Sequence, residues 1–295
     1  MATAIAAAAA LAAAWCFAVG SLVQQGVAVR ESGKGILSFR LLLSLVRQRR
    51  WVAGVMIAAG SFAIQGVALA FGPLTLVQPL AATDVLFALP LIARRNRRRL
   101  TVRDAAGAAL VTAGIIIFLT VSAPHAGAAL PSLSAWLPAL TAVGAVTLGS
   151  ALAAWHVRGP ARVTWLAAAA GALYGLLDAL TKNSVDILAV SGAHVLAMWV
   201  PYAMFVVAVF GALFGQSAYG AGALSLSLPV IDTVEPVAAV TIGATVFGER
   251  LASSAPILAV QLAGAALAVA GIAVLSRSSV VQTETKLSAR TTGPA

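Results

Sequence analysis

Apolar runs of about 20 residues, the length that carries an α-helix across the hydrocarbon core of a bilayer, follow one another along almost the whole chain. Little else can be built from such a pattern. With 61% hydrophobic and only 9% charged residues, there is too little polar surface to clothe a soluble fold. In lipid, only closed barrels and helices satisfy every backbone polar group, and these long apolar runs are helical in character. The sequence therefore reads as an all-α polytopic membrane protein.

Nine spans are predicted, at 3–29, 51–71, 73–93, 103–122, 133–156, 163–183, 194–216, 222–248 and 256–276. The first begins "MATAIAAAAALAAAWCFAVG" and resembles the core of a signal peptide. It lacks a basic start and stays apolar to about Val29, so it is expected to be a retained span. Trp15 before Cys16 argues against a lipoprotein cleavage site. The stretch 34–50 is too short in its apolar centre to cross and contains Arg40. It reads as an interfacial helix with Leu41, Leu42 and Leu45 in lipid and its arginines at the headgroups.

Charge gives the topology. Alternate joints hold Arg30, Lys34, Arg40, Arg47, Arg49 and Arg50, then Arg94, Arg95, Arg97, Arg98, Arg99 and Arg103, then Arg158 and Arg162, and finally Arg277, Lys286 and Arg290. The opposite joints hold only Lys182 and Arg250. This asymmetry places the N-terminus outside and the C-terminus in the cytoplasm of a cell membrane. It also accounts for the net charge of +10 without nucleic acid, since no polar domain exists to carry a basic stripe. The run Arg94, Arg95, Arg97, Arg98 and Arg99 is expected to rest against anionic lipid.

A helix-breaking segment occurs twice, as "GPLTLVQPL" from Gly72 and "GALSLSLPV" from Gly222. Each is followed by a charged joint and then by a glycine-containing span, "AGAALVTAGII" from Ala106 and "AGAALAVAGIA" from Ala263. Alanine-rich helices match by chance, so it is the order of elements that carries the repeat. "LAAAWCFAVGSL" from Leu11 and "LAAAAGALYGLL" from Leu166 add a fainter third correspondence. The predicted organisation is a first repeat over 1–122, a linker helix within 123–160, a second repeat over 161–276 and a disordered Ser/Thr-rich tail over 277–295. One linker helix between two four-helix units inverts the second relative to the first. Inverted repeats with interrupted helices at the midplane are a common transporter design. Pro79, Pro229 and Pro236 are the expected helix breaks, each removing a backbone donor.

"FGPLTLVQPLAATDVLFALPL" from Phe71 and "GALSLSLPVIDTVEPVAAVTIGATVFGERL" from Gly222 resemble the paired core segments of the drug/metabolite transporter superfamily, the EamA-like proteins. "GERL" at Gly248 to Leu251 is typical of the joint after such a helix, although the first copy has "RRNRRRL" there. The nine-span layout and "LVQPL" are similar to the NIPA-like branch, and that resemblance implies magnesium transport as one possible activity.

Four of the nine acidic residues fall within predicted spans away from their first turn: Asp84, Asp178, Asp232 and Glu235. A carboxylate at the bilayer centre costs about 2.5–3.5 kcal/mol on insertion scales, which makes each a functional candidate. Asp84 follows Pro79 by five residues, and Asp232 and Glu235 follow Pro229 at i+3 and i+6. These three acids are expected to face a shared cavity, with Gln78, Thr83 and Thr233 as neutral ligands. Asp178 and Lys182 have the i,i+4 spacing of a helical ion pair, at the outer mouth. Gln24, Gln25 and Gln65 are candidates to line the path, and Tyr174, Trp199, Tyr202 and Tyr219 are cage walls or interface anchors.

The function expected is secondary active transport of a small metabolite by alternating access, with the proton as candidate coupling ion. A divalent-cation carrier using Asp84, Asp232 and Glu235 as oxygen ligands and a non-transporting membrane scaffold are the alternatives. No phosphate loop, Ser/His/Asp set or metal-ligand signature occurs, so neither enzyme activity nor a cofactor is expected. The single Cys16 permits no internal disulfide. His125, His156 and His194 lie at span ends.

Overall fold

A computed structural model describes residues 2–31, 33, 35–71, 77, 80–121, 131–248, 255–278, 281–282 and 284. Among the described residues the chain is entirely helical. Its elements are α1 (Ala2–Glu31), α2 (Phe39–Val46), α3 (Arg49–Phe71), α4 (Asp84–Arg95), α5 (Val102–Val121), α6 (Leu133–His156), α7 (Pro160–Ser191), a 3-10 segment (Gly192–Ala197), α8 (Val200–Ala221), α9 (Leu224–Val246) and α10 (Ala255–Ser276). Eight of the α-helices are long and apolar enough to cross a membrane: all except α2 and α4. Gln78 and Pro79, Lys34, His125, the "GERL" residues Glu249 to Leu251 and the tail from 285 onward lie outside the described residues.

Element ends follow local chemistry. Gly159, with φ +64°, turns the chain into α7, whose first residue Pro160 needs no backbone donor. Gly192, with φ +56°, ends the same helix in the left-handed region that glycine enters without steric cost. The helix outruns the predicted 163–183 because Asn183 to Ser191 continue it despite their polarity. Ser38 caps α2 by accepting the Arg40 N–H at 3.3 Å.

α7 and α9 are the most enclosed of the spans. α1 packs on α3 and α4, α7 on α8 and α9, and α5 on α10. The α5–α10 contact is an antiparallel crossing made by four glycines. A Cβ added at Gly114 would lie 2.6 Å from the Gly264 carbonyl oxygen, and one added at Gly271 would lie 2.7 Å from that of Gly107. Bilayers reward such close approach through dispersion contacts between backbones.

The orientation of α2 corrects the sequence reading. Leu41 and Leu45 are buried against the protein instead of lying in lipid, Leu42 is half-buried, and the outward residues are Phe39, Arg40, Leu43, Val46 and Arg47. Packing against α1, α3 and α8 covers the leucines. The expectation for the tail is corrected at its described residues. Where disorder is expected from 277, Ser278, Val281 and Glu284 are buried, and the Ser278 hydroxyl accepts the Val281 N–H at 3.1 Å.

Polar bridges gather where α1, α2, α3 and α8 meet. Gln216 accepts from the Trp51 indole at 2.9 Å and donates to Gln24 at 2.9 Å, while the Leu37 N–H donates to Ser217 at 3.1 Å. Gln216→Leu keeps the volume and strands both partners. A loss of about 0.5–1.5 kcal/mol, the net worth of an ordinary hydrogen bond, is expected, read as a lower melting temperature of the purified protein.

Candidate functional site

The two proline-containing segments differ in their geometry. α9 runs unbroken through Pro229 and Pro236, which corrects the expectation of helix breaks there. A proline deletes one rung of the ladder, and packing by neighbouring helices on several sides holds the rest in place. The Thr233 hydroxyl donates back to the Pro229 carbonyl at 2.7 Å. In the first segment, the chain turns at Ala82 and Thr83 and α4 starts at Asp84. The interruption thus falls immediately before the acid. The Asp84 carboxylate accepts the Val85 N–H at 2.8 Å, and its place in the first turn suits the positive end of the helix.

α4 and α9 touch, and there the carboxyl groups of Asp84 and Asp232 lie within electrostatic reach of each other. Two buried carboxyls this close cannot both carry charge without a large electrostatic cost. Asp84 is 5% exposed, and the Asp232 Oδ2 atom is buried without a hydrogen-bond partner. Glu235, one turn further along α9, is in electrostatic reach of Asp84 and of Asp178 on α7. The four acids therefore form a chain from the buried Asp84 to the exposed Asp178. Thr83 and Thr233 stand beside it, each with its hydroxyl already donating to its own chain, to Leu80 at 2.6 Å and Pro229 at 2.7 Å. They can still accept a hydrogen bond. Lys182 sets its ammonium over the Phe247 ring, 4.4 Å from the centroid, beside the Trp136–Trp199 and Trp136–Phe247 edge contacts.

Two tyrosines wall the acids. Tyr174 is wedged against α8, where a Cβ added at Gly215 would lie 2.8 Å from its hydroxyl oxygen, and it is in reach of Glu235. Tyr219 lies beside Ser21 of α1 and near Asp232 and Asp84. Ser21 carried no signal in the sequence beyond being a hydroxyl in an apolar run. Among the described residues, no three His, Cys, Asp or Glu side chains converge closely enough to hold a metal ion.

A second polar cluster closes one end of the bundle. Gln25, expected to line the path, instead donates to the Gly222 carbonyl at 2.8 Å. Arg95, grouped by sequence with the lipid-facing arginines, turns into the protein. Its guanidinium donates to the Leu22 carbonyl at 3.0 Å, to Gln25 Oε1, and to Glu284 at 3.4 Å. Burial pushes the Glu284 carboxyl above its ordinary range, against the hydrogen bonds from Ser225 and the charge of Arg95. Nothing near Glu284 in sequence announces this role, because every one of these partners is distant along the chain.

No protein-family model matches the chain, and no solved structure matches it. An uncharacterized protein of Corynebacterium glutamicum is 34% identical over 242 residues, which cover 82% of this chain and 84% of that protein. The chain belongs to the same family as that protein.

Proposed function

We propose that this protein is a secondary active transporter of small metabolites in the cell membrane, of the drug/metabolite transporter type. Two inverted four-helix repeats would be joined by α6 as linker. The observation that carries the reading is the Asp84–Asp232 carboxyl pair, which brings a short interrupted helix and a proline-bearing helix together at bilayer depth. Carboxyls there are costly, and no lysine or arginine lies deep in a span to offset them. A pair that exchanges a proton for a substrate is the use that fits such a cost.

The glycine crossing supports the inverted repeat. Gly107 and Gly114 correspond to Gly264 and Gly271 in the repeated sequence. The contacts are Gly107 with Gly271 and Gly114 with Gly264. Exchanging the two copies turns the first contact into the second, as a two-fold axis between α5 and α10 requires. The helix contacts of the two halves are less symmetric elsewhere. α1 packs on α8 and touches α9, whereas the corresponding α7 has no comparable packing on α3 among the described residues. One end is closed and the other looser, as expected of a single state in an alternating-access cycle. With the arginine-rich joints in the cytoplasm, the closed end is cytoplasmic and the acids face outward.

The uncompensated negative charge also favours a second reading, divalent-cation transport, which would require the acids to converge further than they do here. Melting temperatures of the purified protein separate these readings. An organic solute should stabilise it by about 2.7 kcal/mol at a hundred times its Kd. The effect should grow as pH rises, because the carboxyls must release protons to bind, and should vanish in Asp84→Asn/Glu235→Gln. Stabilisation by magnesium or manganese alone supports the cation carrier. A double variant that keeps every ligand response of the parent, or a parent that responds to no solute or ion, supports a scaffold.

A further inference from the structure

The helix that carries Asp232 and Glu235 is capped by a residue nearly 60 positions away. α9 begins at Leu224 after Ala223, whose side chain makes no capping bond. The first N–H groups of a helix have no partner within it, and Ala223 has no oxygen to offer them. Glu284 supplies the missing acceptor. Its Oε2 accepts the Ser225 N–H at 3.1 Å and the Ser225 hydroxyl. The positive end of a 23-residue helix favours a carboxylate there. Glu284 is 3% exposed, and Ser278 and Val281 are fully buried, so these three residues are seated.

The same carboxylate reaches three other elements. Its Oε1 receives the Arg95 guanidinium from the end of α4 at 3.4 Å. Arg95 in turn holds the Leu22 carbonyl of α1 at 3.0 Å and the Gln25 side chain. Gln25 closes the ring by donating to Gly222, between α8 and α9, at 2.8 Å. α1, α4, α9 and the tail are thus tied at one point, at the end of the bundle that α1 and α8 seal.

We propose that Glu284 is the bolt of an intramolecular latch that keeps this end of the bundle shut by capping α9 and holding Arg95. Releasing it exposes the N–H group of Ser225 and frees Arg95 from its anionic partner. The start of α9 can then part from α1. The latch itself stands apart from the transport reading. Its bearing on the acids, which begin eight residues further along α9, rests on that reading.

Hydrogen–deuterium exchange on the full chain tests it without any substrate. Glu284→Ala, and separately truncation after Arg277, should speed exchange in residues 222–228 by about tenfold, the loss expected for hydrogen bonds to a charged acceptor. The glycine crossing of α5 and α10 should exchange as in the parent, and the exposed neighbour substitution Gln282→Ala should change nothing. Unchanged exchange over 222–228 in both variants overturns the latch. So does acceleration that spreads equally to α5 and α10, because it would make Glu284 a general stability residue. Either result leaves the transport reading to be decided by its ligand test.

Discussion

Gly175→Ala is expected to lower the melting temperature and abolish ligand stabilisation, even though alanine is the better helix former. A Cβ at this position would lie 2.5 Å from the Glu235 carbonyl oxygen, 2.7 Å from the Ala238 Cβ and 2.8 Å from the Ala239 nitrogen. Two of these neighbours are backbone, so no side-chain rotation relieves the contact, and α7 and α9 must separate. Gly171, one turn earlier, meets the same helix, with Val234 Cβ 2.9 Å from its added Cβ. The propensity gain of alanine over glycine is about 0.5–1 kcal/mol. Overpacking costs about 1–3 kcal/mol and therefore wins. The displaced turn is the one carrying Glu235, between Asp232 and the reach of Asp178, so the site loses its geometry along with the stability. At Gly149, where an added Cβ meets nothing within 4 Å, the balance reverses. Gly149→Ala should be neutral or slightly stabilising, and a fall there equal to that at Gly175 would refute the packing argument.

The spans were legible because hydrophobic length is a direct physical requirement of the bilayer. Where α7 ends was not legible, since Lys182, Asn183 and Asp186 read as an exit while the backbone stays helical to Ser191. α2 shows a different limit. Spacing of leucines at 41 and 45 reveals an apolar face, but a face against lipid and a face against protein have the same period. Only the neighbouring helices decide, and here they cover it.

The acids were legible for the opposite reason: they are out of place in an apolar run, and their cost marks them. Their meeting was expected only through the supposed repeat, not through any local motif. Asp84 and Asp232 are far apart in the chain, and the inversion of the repeats had to be supposed before they could meet. The expectation that Pro229 and Pro236 break α9 overstated what one missing donor does inside a packed bundle. Glu284 and Ser225 escaped notice because a cap supplied from another part of the chain leaves no local motif, unlike a capping box. Tail composition, rich in Ser and Thr, pointed to disorder and concealed the few residues that are seated.

In a Cys16→Ser background, a thiol introduced by Glu235→Cys should react with a membrane-impermeant thiol reagent applied from the side opposite the tail. Glu235 is half-buried and lies between Asp84 and Asp178, and Asp178 is exposed on α7. The thiolate is the reactive form and needs water to ionise, so reactivity reports a wet site at bilayer depth and not mere exposure. Val146→Cys on α6 is the comparison. Val146 is 48% exposed, more than Glu235, but lies on a helix whose outer face meets lipid. If the acids line a water-filled hollow between the two halves, Glu235→Cys labels at least about tenfold faster than Val146→Cys, and labels from that side only. Equal, negligible labelling of both would mean that the acids sit in a dry interior, and would contradict the account.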